Sequence, residues 1–153
     1  MKPTLNKLIL MAEDDTDDWL LVKDALAECQ LTDQLRFVAD GEELMDYLLN
    51  RHQYASSEAA PRPGLILLDL NMPRKDGREA LREIRAHPEL RRIPVVAFTT
   101  SKADTDVNKI YELGANSYIC KPVAFEALVN VMKTLVRYWF GVVELPEAKG
   151  TGS

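Results

Sequence analysis

The sequence predicts an α/β protein in which helices cover both faces of a mostly parallel sheet. Five short apolar runs alternate along the chain with five longer segments of helical periodicity, the order typical of repeated strand–helix units. The run at Leu65–Leu68 is apolar throughout, as a central parallel strand buried on both faces requires. Ligand sites in such sheets lie at the carboxyl ends of the strands, so the residues after each strand are the first candidates for function.

The apolar runs and the turn and capping signals give the expected elements in order. Strands are expected at residues 7–12, 35–38, 65–69, 93–98 and 117–120. Thr16 is the expected N-cap of the first helix, which runs to Cys29. The other four helices are expected to begin at a capping box in 40–43, after a turn at 71–77, at a cap within 101–104 (ending at Gly114), and at about 124 (ending at 140). Residues 52–64 are expected to form a long loop.

Composition indicates one globular domain and argues against several classes of partner. The chain has 153 residues, of which 46% are hydrophobic, enough for a single core. We expect the domain to span 5–145, with a disordered tail at 146–153. A net charge of -5 without a Lys/Arg run argues against a nucleic-acid surface. The first apolar run is too short for a signal peptide or membrane span, and Cys29 and Cys120 are typical of free thiols, so a cytoplasmic location is expected.

Polar side chains follow four of the five expected strands. They are Glu13, Asp14 and Asp15 after the first, Asp69 after the third, Thr99 and Thr100 after the fourth, and Lys121 after the fifth. Carboxylates crowded into one cleft either share protons or hold a cation, and oxygen-only ligands suit Mg²⁺. A divalent ion beside a hydroxyl and a lysine is an arrangement suited to phosphoryl transfer, in which one carboxylate can be the nucleophile.

Four segments together resemble the signature segments of response-regulator receiver domains. They are ILMAEDD, LILLDLNMPRKDG, PVVAFTTS and GANSYICKP, in this order and at this spacing. The similarity extends over residues 5–136, and the combination is far more specific than any single segment. It implies a flavodoxin-like (βα)5 doubly wound sandwich whose five-stranded parallel sheet has the order 2-1-3-4-5.

The resemblance implies a phosphoacceptor and a metal site. Asp69 matches the aspartate that accepts a phosphoryl group from a histidine kinase. Glu13 and Asp14 match the acidic pair that binds Mg²⁺, with Asp69 as a third ligand and the backbone carbonyl of Asn71 completing the site. From the residues alone, Asp15 is equally compatible with an outer position at the metal site and with a solvent-facing role.

The resemblance also implies how the phosphoryl group is held and sensed. Thr99 matches the hydroxyl residue that hydrogen-bonds the phosphoryl group, and Lys121 matches the lysine that pairs with one of its oxygens. Tyr118 matches the aromatic switch residue that turns inward when the threonine moves. The bond between Lys121 and Pro122 is cis in the family.

The sequence departs from the common receiver pattern at two positions. Glu13 stands where many receivers have aspartate, so this side chain reaches the metal directly or through water. Thr100 stands where many have alanine, and its larger side chain would narrow the access to Asp69. Trp19 is assigned to packing or to the surface.

The combined segments most resemble the single-domain regulators that pair with bacterial phytochromes, especially the cyanobacterial type. A sensor histidine kinase, in this case a phytochrome, is therefore the expected partner. Without a following output domain, signalling is expected through a partner protein, a dimer or onward phosphotransfer.

The last helix carries more apolar residues than one core-facing stripe needs. The stripe comprises Phe125, Leu128, Met132, Leu135 and Trp139. The additional residues are Val131, Tyr138, Phe140, Val142, Val143 and Leu145. They either fold back on their own domain or form a homodimer surface.

Two other functions compete with the phosphoacceptor. A hydrolase with an aspartyl-phosphate intermediate usually has an acid/base aspartate two residues after the nucleophile, where this chain has Asn71. A protein-binding module with a vestigial site would not need the complete residue set. We therefore expect a phosphoacceptor, with only self-directed phosphotransfer and autodephosphorylation, and not an enzyme acting on external substrates.

Overall fold

The computed structural model describes residues 8–30, 34–56, 58–101 and 103–146. Within them, five parallel strands form one sheet in the order β2-β1-β3-β4-β5, as the resemblance implies. The strands are β1 (Ile9–Ala12), β2 (Leu35–Val38), β3 (Leu65–Leu68), β4 (Val95–Thr99) and β5 (Ser117–Cys120). Ala12 pairs with Val38 and Leu68, so the ends of the central strands lie level at one edge.

Four helices and one short 3-10 turn connect the strands, and a fifth helix follows the last strand. They are α1 (Thr16–Ala27), α2 (Gly41–Leu48), α3 (Gly77–Ala86), α4 (Asp104–Leu113), α5 (Phe125–Gly141) and the 3-10 turn His52–Tyr54. α1 and α5 pack together on one face of the sheet, and α2, α3 and α4 lie side by side on the other. The predicted doubly wound class is confirmed.

Each central strand contributes side chains to both halves of the core. In β1, Leu10 faces α2, α3 and α4, whereas Ile9 and Met11 face α1 and α5. In β3, Ile66 and Leu67 divide in the same way. The continuous apolar pattern thus has the predicted cause, because successive side chains of a strand point to opposite faces.

One helix start differs from the expected cap, and two others differ only in their capping hydrogen bonds. The N-cap of α1 is Asp15, not Thr16, because the Asp15 carboxylate accepts a bond of 2.9 Å from the Asp17 N–H. At α2 the Asp40 side chain caps as expected, but Glu43 accepts from the Ala39 N–H, outside a strict capping box. The N-cap of α4 is Ala103, which has no capping side chain.

Other boundaries shift by a few residues. β4 begins at Val95 because Pro94 has no N–H to donate to the sheet. α1 ends at Ala27, and the Cys29 N–H bonds the Leu26 carbonyl in a tighter turn. Gly114 ends α4 in the left-handed conformation (φ 109°), as expected. Residue 7 of the first predicted strand, and 147–153 of the predicted tail, lie outside the described residues.

The implied cis bond is not found. No peptide bond among the described residues is cis, so the bond between Lys121 and Pro122 is trans. Trans is the lower-energy isomer of such bonds by about 0.5–1 kcal/mol. Cys29 and Cys120 are free thiols, as expected.

Arg85 connects α3 to the segments that lead into β4 and β5. Its guanidinium donates to the carbonyls of Gly114 (2.8 Å) and Ile93 (3.0 Å) and to the Asn116 side chain (3.1 Å). Asn116 in turn accepts from the Val95 N–H at 2.8 Å. All these acceptors are uncharged, and burial lowers the pKa of Arg85.

The last helix buries only part of its expected stripe. Leu128, Met132 and Leu135 are buried, but Phe125, the first residue of α5, is 40% exposed. Tyr138 and Val142 are 49% and 65% exposed, whereas residues 131 and 140 pack against the α1–α5 core. In the part of the chain that the structure describes, no helix combines the length and apolarity needed to cross a membrane.

Candidate metal and phosphoacceptor site

Asp69 lies directly after β3, and its backbone is fixed from two sides. Its N–H donates to the Ala12 carbonyl of β1 at 3.1 Å. On the other side, α3 begins against the strand end, and the Gly77 N–H bonds the Leu70 carbonyl at 3.0 Å. A Cβ on Gly77 would lie 2.3 Å from the Asp69 carbonyl oxygen, so only glycine permits this approach. The Asp69 side chain is consequently held nearly buried at the edge of the sheet.

Three carboxylates meet at this edge. Oxygens of Glu13, Asp14 and Asp69 lie within 4.8 Å of one another. Glu13 is 1% exposed and Asp69 6%, whereas Asp14 faces solvent. Because the donor set consists of oxygens only, it fits a hard divalent cation such as Mg²⁺. The sequence prediction that these three side chains converge is confirmed, and the longer Glu13 side chain reaches the cluster.

Asn71 and Asp15 lie near the carboxylate cluster but outside it. Asn71 is exposed in the loop between β3 and α3, two residues after Asp69, and the metal-binding role of its carbonyl stays a prediction. Asp15 caps α1 with its side chain and donates its N–H to Glu13 Oε2 at 3.1 Å. Asp15 therefore orients a candidate ligand through its backbone while its carboxylate serves the helix.

Lys121 contacts three acidic side chains. Its Nζ donates to the Glu13 carboxylate and to Asp18 Oδ2 at 2.8 Å, and it lies 3.8 Å from Asp69 Oδ2. The sequence predicts the pairing with the phosphoacceptor region but not the contact with Asp18. The only sequence signal for Asp18 is its place in the first turn of the helix that follows the acidic run.

The pKa values of both Glu13 and Lys121 are raised at this site, for different reasons. Burial raises the pKa of Glu13 to about 7; the hydrogen bond from Lys121 opposes this shift, and the Asp69 charge adds to it. Burial alone would lower the pKa of Lys121, but its hydrogen bonds to Asp18 and Glu13, together with the negative charges of Asp69 and Glu13, outweigh burial and raise it. The lysine therefore stays positively charged. A cation bound next to Glu13 would favour the ionised form of its carboxyl group over the protonated form.

Thr99 ends β4 with an unpaired hydroxyl. The residue is fully buried, and Oγ1 has no hydrogen-bond partner within the described parts of the chain. An unpaired buried polar group costs about 1–3 kcal/mol, so such a group usually has a ligand or a functional reason. A phosphoryl oxygen on Asp69 would supply an acceptor. The neighbouring Thr100 is exposed, and its effect on access to Asp69 stays a prediction.

Tyr118 is joined to a hydrogen-bonded clamp after β4. Its hydroxyl donates to the Ser101 carbonyl at 3.0 Å. Ser101 Oγ donates to Asp106 of α4 at 2.6 Å, and Arg78 of α3 donates to the same carboxylate at 3.0 Å. We call Arg78, Asp106 and Ser101 the β4–α4 clamp. Burial raises the pKa of Tyr118, and the two donors to Asp106 lower the pKa of that carboxyl.

Of the two roles expected for Trp19, packing or surface, the structure shows packing, and the residue also supports the site. Its ring stacks on Phe37 at a centroid distance of 4.7 Å. Its indole N–H donates to the backbone carbonyl of Glu13 at 2.6 Å. The backbone of Glu13 is thereby tied to α1 at the point where its side chain enters the acidic cluster.

Comparison with known proteins identifies the family. The family model of the response regulator receiver domain matches residues 9–133. Response regulator Rcp1 of Synechocystis sp. is 42% identical over 142 residues, covering 93% of this chain and 95% of Rcp1. The probable methanogenesis regulatory protein FilR2 of Methanothrix harundinacea is 36% identical, covering 88% and 84% of the two chains.

Solved structures agree with this result. The phosphorylated cyanobacterial phytochrome response regulator RcpA superposes with a TM-score of 0.85 at 40% identity, covering 94% of this chain and all of RcpA. The Mn²⁺-bound form of Rcp1 gives a TM-score of 0.80 at 40% identity, covering 92% and 99%. The sheet order, the acidic cluster and these relatives lead to one conclusion: the chain belongs to the response regulator receiver domain family and is a phosphoacceptor response regulator of two-component signalling.

Proposed function

We propose that Asp69 is the residue that accepts the phosphoryl group and that Mg²⁺ is the physiological metal. The observation that carries this proposal is the convergence of a nearly buried Asp69 with Glu13, Asp14, Lys121 and the unpaired Thr99 hydroxyl. The relatives add support, since RcpA has been crystallised in phosphorylated form and Rcp1 with Mn²⁺.

The transfer is a displacement at phosphorus. A carboxylate oxygen of Asp69 forms the new P–O bond while the P–N bond of a phosphohistidine on the kinase breaks. The electron pair stays on the departing imidazole nitrogen, which takes a proton. The protein contributes mainly the position of the nucleophile and the neutralisation of charge.

The acidic cluster would hold the metal. Glu13, Asp14 and Asp69 would provide carboxylate oxygens, and the backbone carbonyl of Asn71 would complete the protein ligands. Bound there, Mg²⁺ supplies positive charge beside the carboxylates and the phosphoryl oxygens. The Asp15 N–H and the Trp19 indole hold Glu13 in place for this role.

Two further side chains would bind the new phosphoryl group. Thr99 Oγ1 gains the acceptor that it lacks, and Lys121 lies close enough to pair with a phosphoryl oxygen on Asp69. Thr99 ends β4 two residues before Ser101, whose carbonyl accepts a hydrogen bond from Tyr118 of β5. A movement of Thr99 would therefore also move Tyr118. A coupling free energy of about 1–3 kcal/mol is typical of such switches.

We also propose that the protein does not turn over external phosphoesters. The position two residues after Asp69 is Asn71, which cannot act as a general acid or base. Rapid steady-state release of phosphate from a simple phosphoester would contradict this proposal.

The donor that fits this chain is a sensor histidine kinase of the phytochrome type in the cytoplasm. The support is the similarity to Rcp1 and to RcpA, a phytochrome response regulator. Phosphotransfer from a purified phytochrome kinase, compared with an unrelated histidine kinase at equal concentration, tests the assignment. Equal transfer rates from both kinases would contradict it.

We propose that the end of α5 contributes to a homodimer and that neither nucleic acid nor a membrane surface is a partner. Tyr138 of α5 and Val142, directly after the helix, offer exposed apolar surface there. Sedimentation velocity over a range of concentrations, for wild type and for Tyr138→Ser, tests the dimer. A monomer at every concentration, with and without phosphorylation, would refute it.

The experiment that tests the central proposal is intact-mass analysis after incubation with acetyl phosphate. Wild type is expected to gain one phosphoryl group with Mg²⁺ present and none with EDTA. Asp69→Ala is expected to gain none, whereas Asp24→Ala, which removes an exposed carboxylate of α1, is expected to behave as wild type. An adduct that persists in Asp69→Ala would refute the assignment. No adduct in any protein, even from a cognate kinase, would favour the protein-binding module.

A further inference from the structure

We propose that Asp18 is a positioning residue that holds the Lys121 ammonium away from the Asp69 nucleophile while the site is loaded with metal. This inference rests on the proposed function of Asp69. It assigns a role to a side chain that the family pattern in the sequence does not include. The contact that carries it is the 2.8 Å bond from Lys121 Nζ to Asp18 Oδ2.

Lys121 is surrounded by three carboxylates at unequal distances. It donates to Glu13 and Asp18, and Asp69 Oδ2 lies further away at 3.8 Å. The lysine side chain is 11% exposed, so it cannot turn out to solvent without losing much of its packing. Its ammonium must therefore find its partners among these three acidic groups.

A divalent cation changes the balance among the three. Glu13 is a candidate metal ligand, and a cation on its carboxylate weakens its attraction for the lysine. Asp18 is not among the three clustered carboxylates, so its bond to Lys121 remains. With Glu13 bound to the metal and Asp18 removed, the remaining carboxylate within reach of the ammonium would be Asp69, whose oxygens are needed for metal binding and for attack on phosphorus.

The position of Asp18 is well fixed. It lies in the first turn of α1, whose start is set by the Asp15 cap and whose inner face is held by the buried Val22 and Leu26. The Asp18 side chain is 30% exposed, so its pair with Lys121 is partly shielded from solvent. A fixed and partly shielded carboxylate holds an ammonium at lower entropic cost than a mobile surface residue.

Asp17 provides a matched control. It is the neighbouring residue in the same first turn, it carries the same charge, and it is exposed. Asp17→Asn and Asp18→Asn remove the same helix-dipole interaction, while only Asp18→Asn removes the ion pair with Lys121. The difference between them therefore reports on the lysine.

The experiment measures Mg²⁺ affinity by calorimetry in the unphosphorylated full chain. Wild type, Asp17→Asn, Asp18→Asn, Lys121→Met and the double variant Asp18→Asn with Lys121→Met are compared. We expect Asp18→Asn to weaken binding about 3- to 10-fold more than Asp17→Asn, between the effects of an exposed ion pair and of an outer-sphere partner of a metal. In the Lys121→Met background, the additional effect of Asp18→Asn is expected to disappear.

Two outcomes would overturn the proposal. Equal affinities of Asp17→Asn and Asp18→Asn would show that the bond to Lys121 has no influence on the metal site. An effect of Asp18→Asn that persists in the Lys121→Met background would show that Asp18 acts through its own charge. Because the readout is metal affinity, it is independent of whether Asp69 becomes phosphorylated, and failure of the proposed function is detected separately by the mass analysis.

Discussion

Gly77→Ala is the substitution that most directly tests how the fold positions the phosphoacceptor. The added Cβ would lie 2.3 Å from the Asp69 carbonyl oxygen and 2.8 Å from the Leu70 Cα. Because real Cβ contacts essentially never fall below 3.0 Å, the Asp69 backbone and α3 must separate by about 0.7 Å or more. Both atoms belong to backbone, so no side chain can rotate to relieve the contact.

The expected result is a loss of both stability and phosphorylation. Overpacking of this kind costs about 1–3 kcal/mol of unfolding free energy. A displacement of the nucleophile approaching 1 Å slows phosphorylation by acetyl phosphate by up to about 100-fold. Urea titration gives the first quantity, and the time course of the phosphoryl adduct by intact mass gives the second.

Gly141→Ala is the matched control, since a Cβ at Gly141 at the end of α5 meets no atom within 4 Å. It is expected to leave the phosphorylation rate unchanged and to preserve or slightly raise stability. If Gly77→Ala matched Gly141→Ala in both measurements, the claim that the close approach of α3 positions Asp69 would be wrong.

Three further predictions follow from the contacts described above. Arg85→Met removes four hydrogen bonds to uncharged oxygens and is expected to lower the unfolding free energy by about 2–4 kcal/mol. The exposed Arg82→Met is expected to change it by less than about 0.5 kcal/mol, and equal urea midpoints of the two variants would contradict this. Asp106→Asn weakens the β4–α4 clamp, which holds the Tyr118 hydroxyl through Ser101. The fluorine NMR signal of fluorotyrosine at Tyr118 is therefore expected to broaden or to shift toward the solvent-exposed value, and an unchanged signal would show that the clamp does not fix this ring. In metal-free protein, the raised pKa of Glu13 means that the folded state binds its proton more tightly than the unfolded chain, so this group stabilises the fold fully below about pH 4.5 and its contribution is lost as the pH rises toward 7. Urea titrations at several pH values should show a flatter dependence of the unfolding free energy on pH for Glu13→Gln than for wild type, and parallel curves would refute the reasoning.

Most of the architecture is readable from the sequence because it depends on local patterns. The five strands alternate with five helices as predicted, and within the described residues all five strand assignments agree with the structure to within two residues at each end. The chemistry at the edge of the sheet is readable for the same reason. Parallel strands end on one side, so polar residues after β1, β3 and β4 must meet.

The errors have local causes as well. Asp15 and Thr16 are both good caps, and sequence alone does not decide which carboxylate or hydroxyl reaches the free N–H. The exposure of Phe125, the first residue of α5, depends on how the end of the helix packs in the folded domain, which periodicity does not give. The expectation of a cis bond between Lys121 and Pro122 came from the family resemblance alone, because no residue pattern around a proline fixes its isomer, and the bond is trans.

The sequence by itself determined the fold class, the set of acidic, hydroxyl and lysine groups, and their common edge, since each follows from strand order and residue type. Only the tertiary structure decided which of these groups touch. Lys121 meets Asp18 across 103 positions of sequence because α1 and the end of β5 converge on one site, and the β4–α4 clamp joins α3 to α4 in the same way. Such contacts depend on the packing angles and distances of whole elements, which no local pattern in the chain encodes.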